Sequence, residues 1–249
     1  MEATDWQTIV RQNHPRYRSA RRRSHWAMLF IGLATAAIAL EILVVARGFS
    51  FVEHFGSVTL AEITTWERNL NTVSGLYIAS IVPAAIAFLA WQSRVVDNIP
   101  ALSSTDPWVT PRWSIALWFV PLASFVAPYR IVADAWRRLA GRPAQRNAGL
   151  VLIWWILWLG GGLTNRIVQA FTQPPETAPA LSSLLTWITG AAVAQVVAGL
   201  LLVWIIVEIE RRSADRAAAN ARSDLESPPA DLAMETPAIE PRAIEPSAD

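Results

Sequence analysis

"PRWSIALWFVPLASFVAPYRIVADAWRR", Pro111 to Arg138, opens as an apolar run and closes as a basic helix, and a proline sits in the middle of the run. Whether it crosses a bilayer sets the number of spans and the side on which every later loop lies. Its apolar part, Trp113 to Ala127, is about 15 residues long, whereas a hydrocarbon core of about 30 Å takes about 20 residues at a rise of 1.5 Å each. Pro121 also lacks the N–H that a continuous helix needs at that point. Length and proline together predict a re-entrant or interfacial segment, residues 111–140, that leaves the membrane on the side from which it came.

Four other runs have the length of a span: residues 26–46, 70–91, 148–167 and 184–207. Pro83, inside the second, is tolerable in a membrane helix. The first run is longer than the 7 to 15 apolar residues usual in a signal peptide, and it ends in no small-residue cleavage site, so it reads as a retained span. The arginines then choose between topologies. If the opening stretch does not cross, one side of the membrane holds 17 arginines, leaving out distant Arg242, and the other holds only Arg47, Arg68 and Arg166. If it crosses, the split is 9 against 11. The positive-inside rule selects the first arrangement, with both termini cytoplasmic.

Composition agrees with a membrane chain: 53% of residues are apolar, 16% are charged, and 13 are tryptophan. Every one of the 21 basic residues is arginine, a usage suggestive of a GC-rich bacterium and hence of a bacterial inner membrane. With no cysteine there is no disulfide framework, thiolate metal site or cysteine nucleophile. Residues 1–25 read as a basic cytoplasmic arm and residues 26–212 as the membrane domain. From Ser213 onward eight acidic residues face three arginines, with "AIEP" at Ala238 and again at Ala243. Such an Ala/Pro/acid composition predicts a disordered tail over 213–249. The fold class expected is all-α: a four-helix membrane bundle with a re-entrant or interfacial segment and a disordered C-terminal tail.

Read as a helix, the second half of the quoted stretch places Tyr129, Val132, Ala133, Trp136 and Ala140 on one apolar face. Arg130, Asp134 and Arg138 follow at four-residue spacing on the other, so Asp134 has an arginine on either side. That pattern predicts a helix lying in the cytoplasmic headgroup region, with Trp108, Trp113, Tyr129 and Trp136 as interfacial aromatics.

Several fixed positions from Phe88 to Leu139 carry a resemblance. They are Trp91, Arg94 and Asn98 at the end of a span, then Pro111, Arg112 and Trp113, then Trp118, Phe119 and Pro121, then Pro128 and Tyr129, then Asp134, Trp136 and Arg137. In this pattern the stretch resembles the bacterial multi-pass membrane proteins grouped as domain of unknown function 4328. The resemblance implies a membrane domain and supplies no activity.

Motifs of catalysis are absent from the sequence: there is no phosphate-binding glycine loop, no HExxH and no GxSxG elbow. The three histidines, His14, His25 and His54, are scattered, so no enzyme activity, cofactor or metal is expected. Three polar residues fall within spans. Glu41 and Arg166 lie at comparable depth toward the outer face, where they either pair or snorkel outward. Gln195, near the middle of the last span, reads as interhelical hydrogen-bond glue. Small residues at four-residue spacing, Gly32/Ala36, Gly75/Ala79 and Gly190/Ala194/Ala198, predict close helix approach, and "GGG" at Gly160 reads as a packing surface rather than a hinge. Trp91, Arg94 and Asn98 share one helix face, suited to docking the re-entrant segment or a lipid headgroup. The function expected is a non-enzymatic membrane platform that binds anionic lipid or a protein partner at the cytoplasmic face, the partner being another protein or a second copy of the chain, with no nucleic acid. The alternative is a small-solute transporter or channel lined by the re-entrant segment.

Overall fold

The computed structural model describes residues 17–54, 56–141, 146–171 and 176–226, all helix and loop with no strand among them. Its elements in chain order are α1 (Arg21–Glu53), α2 (Leu60–Ser103), α3 (Pro111–Ala116), a 3₁₀ turn (Ala123–Phe125), α4 (Ala127–Arg138), α5 (Gly149–Phe171) and α6 (Ala178–Glu226). Helices α1, α2, α5 and α6 are each long and apolar enough to cross a membrane. Their outward faces carry exposed Leu33, Leu43, Ile78, Ile86, Ile156, Leu163, Val193 and Leu200. A soluble surface rarely presents so much contiguous aliphatic area, whereas a lipid-facing one requires it.

Helix α1 packs along both α2 and α6, and α6 packs along α5, so the order around the bundle is α2, α1, α6, α5. Between α2 and α5, at the end where α2 finishes and α5 begins, the gap is filled by α3, the 3₁₀ turn and α4. The core at this end is aromatic. Phe88 meets Trp91, Trp118 and Trp154 at centroid distances of 5.6, 5.5 and 6.4 Å, and Trp118 stands edge-on to Trp155 and Trp158.

The helices overrun the apolar runs. α2 has 44 residues and α6 has 49, about 66 and 74 Å at 1.5 Å per residue. The start of α2 is fixed by a capping box, in which the Thr59 N–H donates to Glu62 at 2.8 Å while the Glu62 N–H donates to Thr59 Oγ1. Pro83 and Pro100 lie within α2, which stays helical through both and ends at Ser104 in the left-handed region, φ 53°. Two boundaries read from composition are corrected. Helix α1 begins at Arg21, so residues 21–25 are its first turn and not part of a loose arm. Helix α6 runs to Glu226, so residues 213–226 are helical, and the tail reading survives only as a statement about residues outside those described. The physical reason is that "SADRAAANARSDLE" is rich in good helix formers. It is also anchored, because Ser213 is buried, Arg216 donates to the Ala140 carbonyl at 2.6 Å and Asn220 donates to the Ala101 carbonyl at 3.2 Å.

Close approach of the helices rests on glycines other than those singled out by spacing. Gly32, Gly75 and Gly190 face open space, as does Gly160. At Gly161 a Cβ would come within 2.8 Å of the Ala191 carbonyl oxygen, and at Gly199 it would overlap the Thr35 hydroxyl. The glycine triplet therefore serves packing through Gly161, where α5 rests on α6. Gln195 lays its Cγ over that glycine and makes no hydrogen bond among the described residues, so it acts through its aliphatic stem and not as polar glue.

Candidate functional site

The motif residues gather at the α2/α5 end of the bundle, and two of the three helices around them are tied through side chains. Trp91 donates from Nε1 to Glu210 on α6 at 2.8 Å. Gln92, one position along and buried, donates to the Ser114 carbonyl in α3 at 2.8 Å, and Ser93 donates to the Pro111 carbonyl at 3.3 Å. The re-entrant candidate is thus docked by Gln92 and Ser93, not by the Trp91/Arg94/Asn98 face. Arg94 pairs with Asp97 on its own helix at 3.0 Å. Asn98 holds the chain before α1: its Nδ2 donates to the Arg18 carbonyl at 2.8 Å and its Oδ1 accepts from the Arg18 N–H at 3.1 Å. Beside it the Tyr17 phenol is pushed above its usual range, first by burial and then by the Glu210 carboxylate.

The segment between α2 and α4 is a hairpin in depth. Ser114 is level with Gln92, Trp118 with Phe88, and Ala127 and Ile131 are back at the level of Val96. Its return is made at Leu122, whose φ of 64° and ψ of −46° with an Ala123 N–H to Pro121 carbonyl bond of 2.7 Å form a γ-turn, a strained conformation for a branched residue. Trp155 Nε1 clips the turn by donating to the Phe125 carbonyl at 2.8 Å. The tip is apolar and open: Phe119 is 73% and Leu122 81% exposed, and Trp113, Phe125 and Val126 are also exposed, as are Pro121 and Arg112.

Helix α4 turns its apolar face inward. Ala127, Pro128, Ile131, Val132, Ala133, Ala135 and Trp136 are buried against the bundle, which corrects the reading that this face rests on lipid. The stripe was visible in the sequence; that protein rather than bilayer covers it was not. Asp134 takes one arginine, Arg138, at 2.8 Å, and accepts the Trp108 N–H at 3.0 Å. Arg130 instead lies over the Trp108 ring at 4.3 Å. Trp136 donates to the Asn147 carbonyl at 2.8 Å and is covered by Arg212, 3.8 Å from its ring. Arg212 also donates to the Trp136 carbonyl and to Glu208. Arg137 points outward and reaches the half-buried Tyr129 hydroxyl at 3.4 Å. Glu210, Arg212, Gln92 and Ser114 carry no motif signal of their own; only the Glu208-to-Arg212 spacing of four announces its pair.

The interior of this end holds a narrow crevice. Lined by Trp91, Gln92, Val96, Ile131, Ala135 and Ile209, it has no room for a water-sized sphere. In the other half of the bundle, Tyr77 on α2 lies within electrostatic range of both Glu41 and Arg166. No hydrogen bond or ion pair joins Glu41 to Arg166 among the described residues, and Arg166 is exposed. Among the described residues no three histidine, cysteine or carboxylate side chains gather as a metal site.

The pattern of a family described as domain of unknown function (DUF4328) matches residues 57–211, more than half of the chain. No curated protein and no solved structure matches it.

Proposed function

The chain belongs to the DUF4328 family, and from that premise we propose that it is a non-enzymatic integral membrane protein whose α2/α5 end is a cytoplasmic-face platform for anionic lipid. The observation that carries this reading is the open apolar tip, Trp113, Phe119, Leu122, Phe125 and Val126, bracketed by exposed Arg112, Arg130 and Arg137. Aromatic and aliphatic side chains beside guanidinium groups that no carboxylate neutralises among the described residues suit the boundary between acyl chains and anionic headgroups. Depth supports it too. Trp118 meets Trp155 and Trp158, six and nine residues into α5, about 9 to 14 Å past the helix start. In this reading the tip re-enters the membrane from the cytoplasm, and the arginine split keeps both termini there. The crevice among Trp91, Gln92 and Ile131 is too narrow for a water-sized sphere, which favours the platform over transport through that crevice.

Lipid carried through purification, identified by mass spectrometry, tests the platform. Replacing Arg112, Arg130 and Arg137 together by glutamine is expected to lower the ratio of anionic to zwitterionic lipid, each arginine supplying about 1 kcal/mol, or roughly fivefold. An unchanged ratio refutes the lipid reading. A protein or second copy of the chain lost with the arginines identifies another occupant.

Topology is tested separately. The chain has no cysteine, so single cysteines at Asp106, Arg146 and Thr177 report cleanly. In intact cells an impermeant thiol reagent is expected to label only the one at Thr177. Labelling at Arg146 with Asp106 protected would make residues 113–127 a span.

A further inference from the structure

Helix α2 carries charge on the side that its neighbours leave to lipid. Thr64, Glu67, Arg68, Asn71 and Thr72 are all exposed and line a shallow hollow there. Two ties to α1 fix their height: Trp66 donates from Nε1 to the Val44 carbonyl at 2.9 Å, and toward the other end Arg23 donates to the Ala90 carbonyl at 2.9 Å. Counting between the ties puts Arg68 level with Leu43 and Asn71 level with Leu40, two leucines of the apolar run of α1 that are 65% and 47% exposed. At one height, therefore, α1 offers lipid leucine while α2 offers it a guanidinium and an amide. The threonine hydroxyls are spent on their own helix, donating to the Leu60 and Arg68 carbonyls at 2.7 and 2.8 Å. The Glu67, Arg68 and Asn71 side chains make no hydrogen bond or ion pair among the described residues, and Glu67 does not face Arg68 on its own helix because sequence neighbours point apart. Polar groups at membrane depth are costly unless a partner meets them.

These groups complete one another across a two-fold axis. Asn71, Gly75, Ile78 and Val82 follow at spacings of four, three and four and form one exposed stripe along the helix. Glu67 and Arg68, about 100° apart around the helix, fall on its two flanks. In a symmetric pair whose axis runs along the stripe, each flank faces the opposite flank of the other copy. Glu67 then meets Arg68 of the second copy, twice over, and the two Asn71 amides meet at the axis. A Cβ at Gly75 would have nothing within 4 Å, so a second backbone has room to approach there. We propose that the chain forms a parallel homodimer through this side of α2, held by two Glu67–Arg68 pairs and by the paired Asn71 amides. The interface is independent of the lipid platform, because it lies toward the start of α2 and the platform lies where α2 finishes.

Crosslinking in native membranes tests the contact, and dilution in micelles tests its chemistry. The chain has no cysteine, so Gly75→Cys with a short bismaleimide should give a dimer band, whereas Ala36→Cys, exposed at the same height on α1, should give little. Energy transfer between full-length copies labelled at the N-terminus, followed as micelles dilute them, gives the dissociation constant. Arg68→Glu and Glu67→Arg each set like charges across the axis and should each raise that constant at least about tenfold. The two together exchange the flanks and should return it to within about threefold of the parent value. Asn71→Leu should raise it about threefold to twentyfold. Equal crosslinking at the two cysteines, a double variant that costs the sum of its parts, or a dimer indifferent to all three positions overturns the proposal. The first of these outcomes stands even if a charge variant does not fold.

Discussion

Gly199→Val is expected to prise α1 from α6 and to lower the melting temperature in detergent more than any replacement on the lipid-facing surface. A Cβ at this position would overlap the Thr35 hydroxyl and stand 3.2 Å from both Thr35 Cβ and Cγ2. Thr35 has no room to give way: it is buried, its χ1 is stiff because the side chain is β-branched, and its Oγ1 donates to the Ile31 carbonyl at 2.8 Å. The clash must therefore move a helix. Overpacking of this kind costs about 1 to 3 kcal/mol, and valine places a second branch where the first already does not fit, so the upper end is expected. Gly199→Ala should cost less, and pairing it with Thr35→Ala should restore most of the loss, because the hydroxyl that blocks the Cβ is then gone. A double-mutant cycle on melting measures the coupling. If Gly199→Ala costs the same with and without Thr35, the two helices do not cross where the backbone places them.

The same glycine shows what the sequence could and could not reveal. Four helices long and apolar enough to cross a membrane were legible because a run such as Leu184–Val207 has the length and composition of a span. Which glycines touch a neighbour was not legible. Four-residue spacing picks a face of a helix, but the rotation of that face is set by the neighbouring helix, so Gly32 and Gly190 carry the pattern while Gly161 and Gly199 carry the contact. Helix ends failed for a related reason. Apolar content stops near Val207, but nothing breaks the helix before Glu226, and on that extension Arg212 donates to the Trp136 carbonyl in α4 and Arg216 to the Ala140 carbonyl beyond it. The motif residues were visible through family resemblance, and their partners were not, since Asn98 and Arg18 are 80 positions apart and Trp91 and Glu210 are 119 apart.

Trp136→Ala is expected to abolish the fold of the α2/α5 end, and the comparison with Trp136→Phe says why. The indole is 3% exposed and joins three parts of the chain. Its ring lies under Arg212 and 5.6 Å from Trp204, both on α6, while its N–H holds the Asn147 carbonyl just before α5. Truncation leaves a cavity that costs about 3 to 5 kcal/mol, a large fraction of the stability of a typical domain. It also strips the cover from the Arg212 guanidinium, itself only 7% exposed, which still meets the Glu208 carboxylate and the Trp136 carbonyl. Phenylalanine keeps a ring for Arg212 and most of the volume, losing chiefly the hydrogen bond to Asn147, so its cost should be about 1 to 2 kcal/mol. Arg212→Met separates what remains: with Trp136 present it uncouples the stacked pair, and in the Trp136→Ala background it should cost little, because the surface it covered has gone. Melting of the parent chain and these four variants in one detergent decides the matter. If alanine costs no more than phenylalanine, the indole contributes its N–H alone, and α4 is held to α6 by something other than the Arg212 stack.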